Sequence, residues 1–314
     1  MKKITILILF TILLAACAPG SGQPTPQLEA DTSSTVVAAG TPRASDSKPN
    51  PYSVEALRAR TYGAGDLKVE YAWENQPEFT RYYITYPSDG LTIAGFVDIP
   101  VGKGPFPVIM ALHGFISAGK YQTLDYTTRY ADGLAQNGYI VLHPNMRNFP
   151  PSDTAPTGRD DLTGYTVDVL NLLALVRKQA GQTGIFKNAD ISRLGIWGHS
   201  IGGGVALRVV SIVPEIKAAV LYAAVSQRYT NASAGFTVFD LAASQAVFSL
   251  HQGEADKTVQ PAWTKTLDQQ LLDLGKSVEY FTYPGQPHTF FGQNDALLMR
   301  RTVDFFNAHL KKKP

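Results

Sequence analysis

The chain of 314 residues contains one cysteine, Cys17. No intrachain disulfide can form, and a structural or catalytic thiol anywhere else is excluded. Charge is sparse and almost balanced: 28 Lys and Arg stand against 26 Asp and Glu, a formal net charge of +2. No basic run is interleaved with aromatic residues as a nucleic-acid groove requires, so nucleic acid is not an expected partner. The one basic run, Lys311-Lys312-Lys313, lies at the extreme C-terminus and reads as a solvated tail. The apolar stretch from Ile4 to Ala16 falls short of the roughly 20 residues of a membrane-spanning helix. There is no His-Glu-x-x-His motif, no P-loop and no internal repeat, so neither a metal nor an organic cofactor is expected.

What the N-terminus does have is Met1-Lys2-Lys3 followed by that apolar stretch, a basic n-region and an h-region of an export signal. Leu14-Ala15-Ala16-Cys17 then resembles the lipobox of bacterial lipoproteins, in which Cys17 is lipidated and becomes the first mature residue. An ordinary signal peptide cleaved nearby is the alternative. Residues 1–16 are accordingly expected to be the signal and Cys17 the lipidation site. The protein is expected at the cell envelope on the periplasmic or extracellular face, touching the membrane through that lipid alone. Residues 17–51 are rich in Pro, Ser, Thr, Gly and Ala and poor in large apolar side chains, the composition of a flexible tether. The chain is 44% hydrophobic, and residues 52–314 are long enough for one large domain.

Within that domain the pattern changes once. Leu67–Trp73, Phe79–Tyr86 and Leu91–Ile99 alternate partially, with Pro, Gly and Asp between them, as antiparallel strands do. After Pro105, short apolar runs at Val108–Leu112, Tyr139–Leu142, Leu194–Trp197, Ala218–Tyr222, Val247–Leu250 and Val278–Phe281 read as strands. Helical spacing separates them at Thr123–Gln136, Leu162–Gln179, Val205–Ser211, Ala262–Leu274 and Ala296–His309. Alternating βα units imply an α/β fold: a mostly parallel, doubly wound sheet, with antiparallel strands at its N-terminal edge. Chemistry in such sheets sits at the carboxyl ends of the strands.

Gly198-His199-Ser200-Ile201-Gly202 lies between a predicted strand and a predicted helix. A serine there sits on a strained turn that exposes its hydroxyl, and the glycines let strand and helix approach. Alone the hydroxyl is a poor nucleophile, so this order demands an acid and then a histidine downstream. Asp256 follows the strand ending near Leu250, and its rival Glu254 is two residues earlier; Asp256 is favoured because it directly precedes the Val259-Gln260-Pro261 helix entry. His288 follows the last strand and completes the order. His113 and His199 lie in glycine-flanked loops, His143 and His251 at strand termini, and His309 near the end of the last helix. The His113-Gly114-Phe115 turn ends a strand where the backbone N–H of Phe115, with that of Ile201, is expected to form an oxyanion hole.

Phe106-Pro107-Val108 to His113-Gly114, Ala135-Gln136-Asn137-Gly138-Tyr139-Ile140-Val141, Gly198-His199-Ser200-Ile201-Gly202-Gly203 and the Asp256 and His288 loops carry a resemblance. From about Phe79 onward the chain is similar to the catalytic domain of the prolyl oligopeptidase family and its dienelactone-hydrolase-like and acyl-esterase relatives, which implies the α/β-hydrolase fold. Peptidases of that group carry a large N-terminal propeller. Here only the strands from Leu67 to Pro100 stand in that position, which favours a carboxylic ester over a peptide as substrate. The expectation is a serine hydrolase with Ser200 as nucleophile, His288 as base and Asp256 as orienting acid, acting on a small ester. A short-peptide exopeptidase or oligopeptidase is the second expectation, and a binding module without turnover the third. Gln227–Phe239, with three aromatic residues, is a candidate cover for the site.

Overall fold

The structure, a computed structural model, describes residues 51–156, 161–227 and 240–311. Cys17, the expected signal and all but the last residue of the expected tether lie outside the described residues, as do residues 228–239 of the candidate cover.

Three strands open the sheet: β1 (Lys68–Asn75), β2 (Phe79–Ser88) and β3 (Leu91–Pro100) pair antiparallel in sequence order, β1 mostly exposed, β2 alternating in burial and β3 mostly buried. Six follow: β4 (Phe106–Leu112), β5 (Ile140–Pro144), β7 (Ala218–Tyr222) and β8 (Val247–Gly253) have no exposed residue, β6 (Ala189–His199) is buried over its C-terminal half, and the edge strand β9 (Val278–Tyr283) is partly exposed. The nine described strands form one sheet in the order β1-β2-β3-β5-β4-β6-β7-β8-β9, parallel from β5 to β9. Alternate residues of one strand enter different cores, which is why the parallel runs are apolar on both faces. Val108, Met110 and Leu112 pack on one side with α3 (Asp161–Gln179) and α4 (Ile201–Ile212); Ile109 and Ala111 pack on the other with α2 (Thr128–Gln136) and α6 (Gly292–Leu310). α5 (Pro261–Asp273) joins the first layer through Leu267 and Leu271.

This is the expected three-layer sheet of the α/β-hydrolase fold. Its element bounds differ from expectation in ways that matter for the site. The helix expected from Thr123 begins only at Thr128, because turns occupy the preceding residues and the Thr128 N–H bonds to the Asp125 carbonyl. The helix expected from Val205 begins at Ile201, directly after Ser200, since three glycines weaken the sequence signal without preventing the helix. β8 runs past Leu250, so His251 is buried within a strand and not at its end. A short helix, α1 (Val54–Ala59), was not anticipated; Ser53 caps it by accepting the Ala56 N–H at 3.1 Å.

The strand order reverses at β4, whose neighbours are β5 on one side and β6 on the other. Register pairs Leu112 with Gly198, so the loops after β4 and β6 emerge side by side. Such a switch point opens a crevice at the strand ends.

Candidate active site

Ser200 follows β6 with φ 56° and ψ −119°, a conformation that non-glycine residues avoid. Its surroundings hold it there. The Ser200 N–H donates to the Tyr222 carbonyl at 2.9 Å, and the Ser200 carbonyl accepts from Val225 at 2.9 Å and from Gly203 at 3.0 Å. The turn leaves no room for side chains beside it. A Cβ on Gly202 would lie 2.4 Å from the Leu112 carbonyl oxygen, and one on Gly198 would lie 2.4 Å from the Gly202 carbonyl oxygen. Strain concentrated at one polar residue and stabilised by close-packed neighbours is what a reactive side chain needs.

His288 stands in the loop after β9, and its Nε2 is 2.8 Å from Ser200 Oγ. Its Nδ1 is 2.8 Å from Asp256 Oδ2. An ionised carboxylate only accepts, so Nδ1 carries the proton and Nε2 is free to accept from the serine hydroxyl. Asp256 is fixed from several sides: Oδ1 accepts the N–H groups of Thr258 at 2.8 Å and Val259 at 2.9 Å, and Oδ2 also accepts from Gln252 Nε2 at 3.1 Å. Burial works to raise its pKa, but the His288 hydrogen bond and the two amides outweigh it and hold the carboxyl below its ordinary value. Glu254, the rival acid, is exposed and takes no part in this network.

Gly114 passes directly over the serine: a Cβ there would lie 3.2 Å from Ser200 Cβ. The next residue, Phe115, is exposed to 67%. Ile201 opens α4, so its N–H is among the unbonded amides at the positive end of that helix. Neither the Phe115 nor the Ile201 N–H has a backbone acceptor among the described residues. The structure thus brings Ser200, His288, Asp256, Gly114 and Ile201 together, with Phe115 next to Gly114 in the chain. His113 is buried, with Nε2 2.7 Å from the Asn145 carbonyl and Nδ1 2.8 Å from that of Gly114, a loop-fixing position.

Two sets of supporting residues were not singled out in the sequence. Gln252 is buried under the acid loop; its amide reaches Asp256 and the Val259 carbonyl, and its Oε1 accepts from Thr264 Oγ1 at 2.7 Å. A polar residue closing an apolar strand was the available signal. Tyr126 and His199 form the other set, with Tyr126 Oη 2.5 Å from His199 Nδ1. Nothing in the local sequence marks Tyr126, because its partner is far away in the chain.

The arrangement has relatives. A protein of Synechocystis described as a carboxymethylenebutenolidase is 23% identical over 215 residues, covering 66% of this chain and 85% of its own. Among solved structures, acetyl xylan esterase 1 from Thermoanaerobacterium has a TM-score of 0.58 at 14% identity, over 80% of this chain and 90% of its own. A puromycin-hydrolysing peptidase of Mycobacterium tuberculosis has a TM-score of 0.53 at 19% identity, over 78% of this chain and 42% of its own. An esterase and a peptidase therefore share this fold, which by itself does not choose between their substrates. The match to the dienelactone hydrolase family runs over residues 93–310, from β3 through α6, and takes in the strained serine, both flanking loops and the histidine. With that span, more than half of its length, the chain belongs to the dienelactone hydrolase family.

Proposed function

We propose that the protein is a serine hydrolase whose substrate is a small carboxylic ester. The observation that carries this reading is the continuous chain from Ser200 Oγ through His288 to Asp256, both contacts at 2.8 Å. Ser200 attacks the acyl carbonyl while His288 Nε2 takes its proton. Asp256 holds the imidazole tautomer and stabilises the imidazolium. The developing oxyanion is held by the Phe115 and Ile201 amides, an interaction made fully only in the transition state. His288 then protonates the departing alcohol, and water, deprotonated by the same nitrogen, releases the acid and restores Ser200.

Ester is favoured over peptide by relatives in sequence, which include the carboxymethylenebutenolidase of Synechocystis and esterase EstD of Thermotoga maritima. Phe115 and Phe291, exposed to 67% and 65%, flank the serine loop and the histidine loop and offer apolar contact to an acyl or alkoxy group. The test is hydrolysis of a short-chain p-nitrophenyl ester and an aminoacyl p-nitroanilide by the wild type and Ser200→Ala. Ester turnover that Ser200→Ala loses by at least about 10³-fold, with the anilide uncleaved, is expected. Equal anilide cleavage would point to a peptidase.

Export and lipid anchoring through Cys17 belong to the proposal on the strength of the N-terminal sequence. Mass spectrometry of the protein from envelope fractions should find a mature chain beginning at lipid-modified Cys17; an intact Met1 end contradicts it.

A further inference from the structure

His199 and Tyr126 connect the two loops that the proposed reaction needs in register. His199 Nε2 is 3.0 Å from the carbonyl oxygen of His288. A carbonyl only accepts, so Nε2 carries the proton. Burial, and then the nearby His288, lower the His199 pKa to about 3, so the ring is neutral and its Nδ1 presents a lone pair. Tyr126 Oη, 2.5 Å away, must donate to that lone pair. Burial holds the phenol protonated, raising its pKa. The phenol oxygen in turn accepts the Gly114 N–H at 2.9 Å. Donors and acceptors therefore have one consistent direction, from the Gly114 N–H through Tyr126 and His199 to the His288 carbonyl.

The packing agrees with the hydrogen bonds. The His199 ring is sandwiched, 4.2 Å from the Tyr222 ring and 4.7 Å from the His288 ring. Tyr222 Oη also accepts the Phe290 N–H at 2.5 Å, so the loop after β9 is held at His288 and again two residues later. At the other end, a Cβ on Gly114 would meet Tyr126 Oη at 2.6 Å, which makes the glycine the only residue type that lets the phenol reach the backbone.

We propose that Tyr126 and His199 are positioning residues that tie the Gly114–Phe115 amides to the His288 loop, so that the oxyanion donors and the base are held in one geometry. The proposal rests on the serine hydrolase reading. Neither side chain hydrogen-bonds to the reacting atoms; His199 packs against the His288 ring, and both bond to the backbone of groups that act in the reaction. A misplacement of about 1 Å at a reacting centre costs up to about 10²-fold in rate, and either loop can drift by that amount once the chain is cut.

The experiment compares the full chain with Tyr126→Phe, His199→Leu, His199→Gln and the Tyr126→Phe/His199→Leu double variant. It measures kcat and KM for a short-chain ester, the rate of inactivation by a fluorophosphonate, and Tm. Tyr126→Phe and His199→Leu should each lower kcat by about 10- to 100-fold with KM within about threefold. The inactivation rate should fall in parallel. His199→Gln, whose amide offers a donor and an acceptor on one plane, should recover most of the loss. The double variant should be no worse than the worse single one, because both break one chain. Folded Tyr126→Phe with kcat within about twofold of wild type, additive losses in the double variant, or equal activity of the Gln and Leu variants would overturn the proposal. Should Tyr126→Phe fail to fold, the Gln and Leu comparison at position 199 decides alone. A wild type inert to both ester and fluorophosphonate would overturn the hydrolase reading itself, and this proposal with it; a reactive wild type with unaffected variants overturns this proposal only.

Discussion

Asp256 and Glu254 lie two residues apart in the same loop and have opposite surroundings. Asp256 receives His288, two backbone N–H groups and Gln252, while Glu254 faces solvent. An amide at position 256 would turn an NH₂ or a neutral oxygen toward His288 Nδ1 and no longer enforce the tautomer that leaves Nε2 free. Asp256→Asn should therefore lower kcat by about 10³- to 10⁴-fold, and Glu254→Gln should leave kcat within about twofold. Steady-state kinetics on the two variants check this, and the reverse ranking would assign the acid to Glu254. The sequence favours Asp256 through its place before the α5 entry; the structure gives the physical reason, since the Thr258 and Val259 amides that hold the carboxylate belong to that entry turn.

At the scale of elements, what a residue's neighbours in sequence determine could be read in advance. Each strand after Pro105 has an apolar run where both faces are covered, and each is placed in the sequence by that run. The serine turn was legible for the same reason: Gly198, Gly202 and Gly203 are needed within a few residues of Ser200, where a Cβ would strike the Gly202, Leu112 and Ala224 atoms. What depends on distant residues was not legible. The Thr123–Thr127 segment scores as helix by its own composition, yet it turns, and the turn carries Tyr126 to His199, 73 positions along the chain. His251 was placed at a strand end and is instead buried in β8, bound to Ser249 and Tyr283 at 3.0 and 2.8 Å. Its polarity hid the continuation of the strand. α1 went unseen because a helix of 6 residues has too few turns to show a period.

Across the whole molecule, protonation links the interior to stability. His113, His143, His199 and His251 are buried, and burial is the first cause lowering each pKa, to about 3 for His199 and His251. In the unfolded chain the same side chains titrate near about 6.5. Below that pH the unfolded state binds more protons than the folded one, so acid destabilises the fold by up to about 1.4 kcal/mol per pH unit for each such histidine. The loss begins near the unfolded value and continues down to the folded one. Asp256, whose pKa is lowered in the fold, adds to the loss as pH falls through the carboxylate range. Asp98, raised by burial to about 7, and Asp168, also raised by burial, act in the opposite sense, but they are two groups against four histidines. The urea midpoint should accordingly be lower at pH 5.0 than at pH 7.5; an equal or higher midpoint at pH 5.0 would contradict this balance. The reactivity of Ser200 can be measured directly. Reaction of the wild type with a fluorophosphonate, followed by peptide mass spectrometry, should place the adduct on Ser200 and on no other serine, with no adduct on Ser200→Ala. A wild-type protein that remains unmodified, or an adduct elsewhere, would contradict the claim that the strained turn after β6 holds an activated nucleophile.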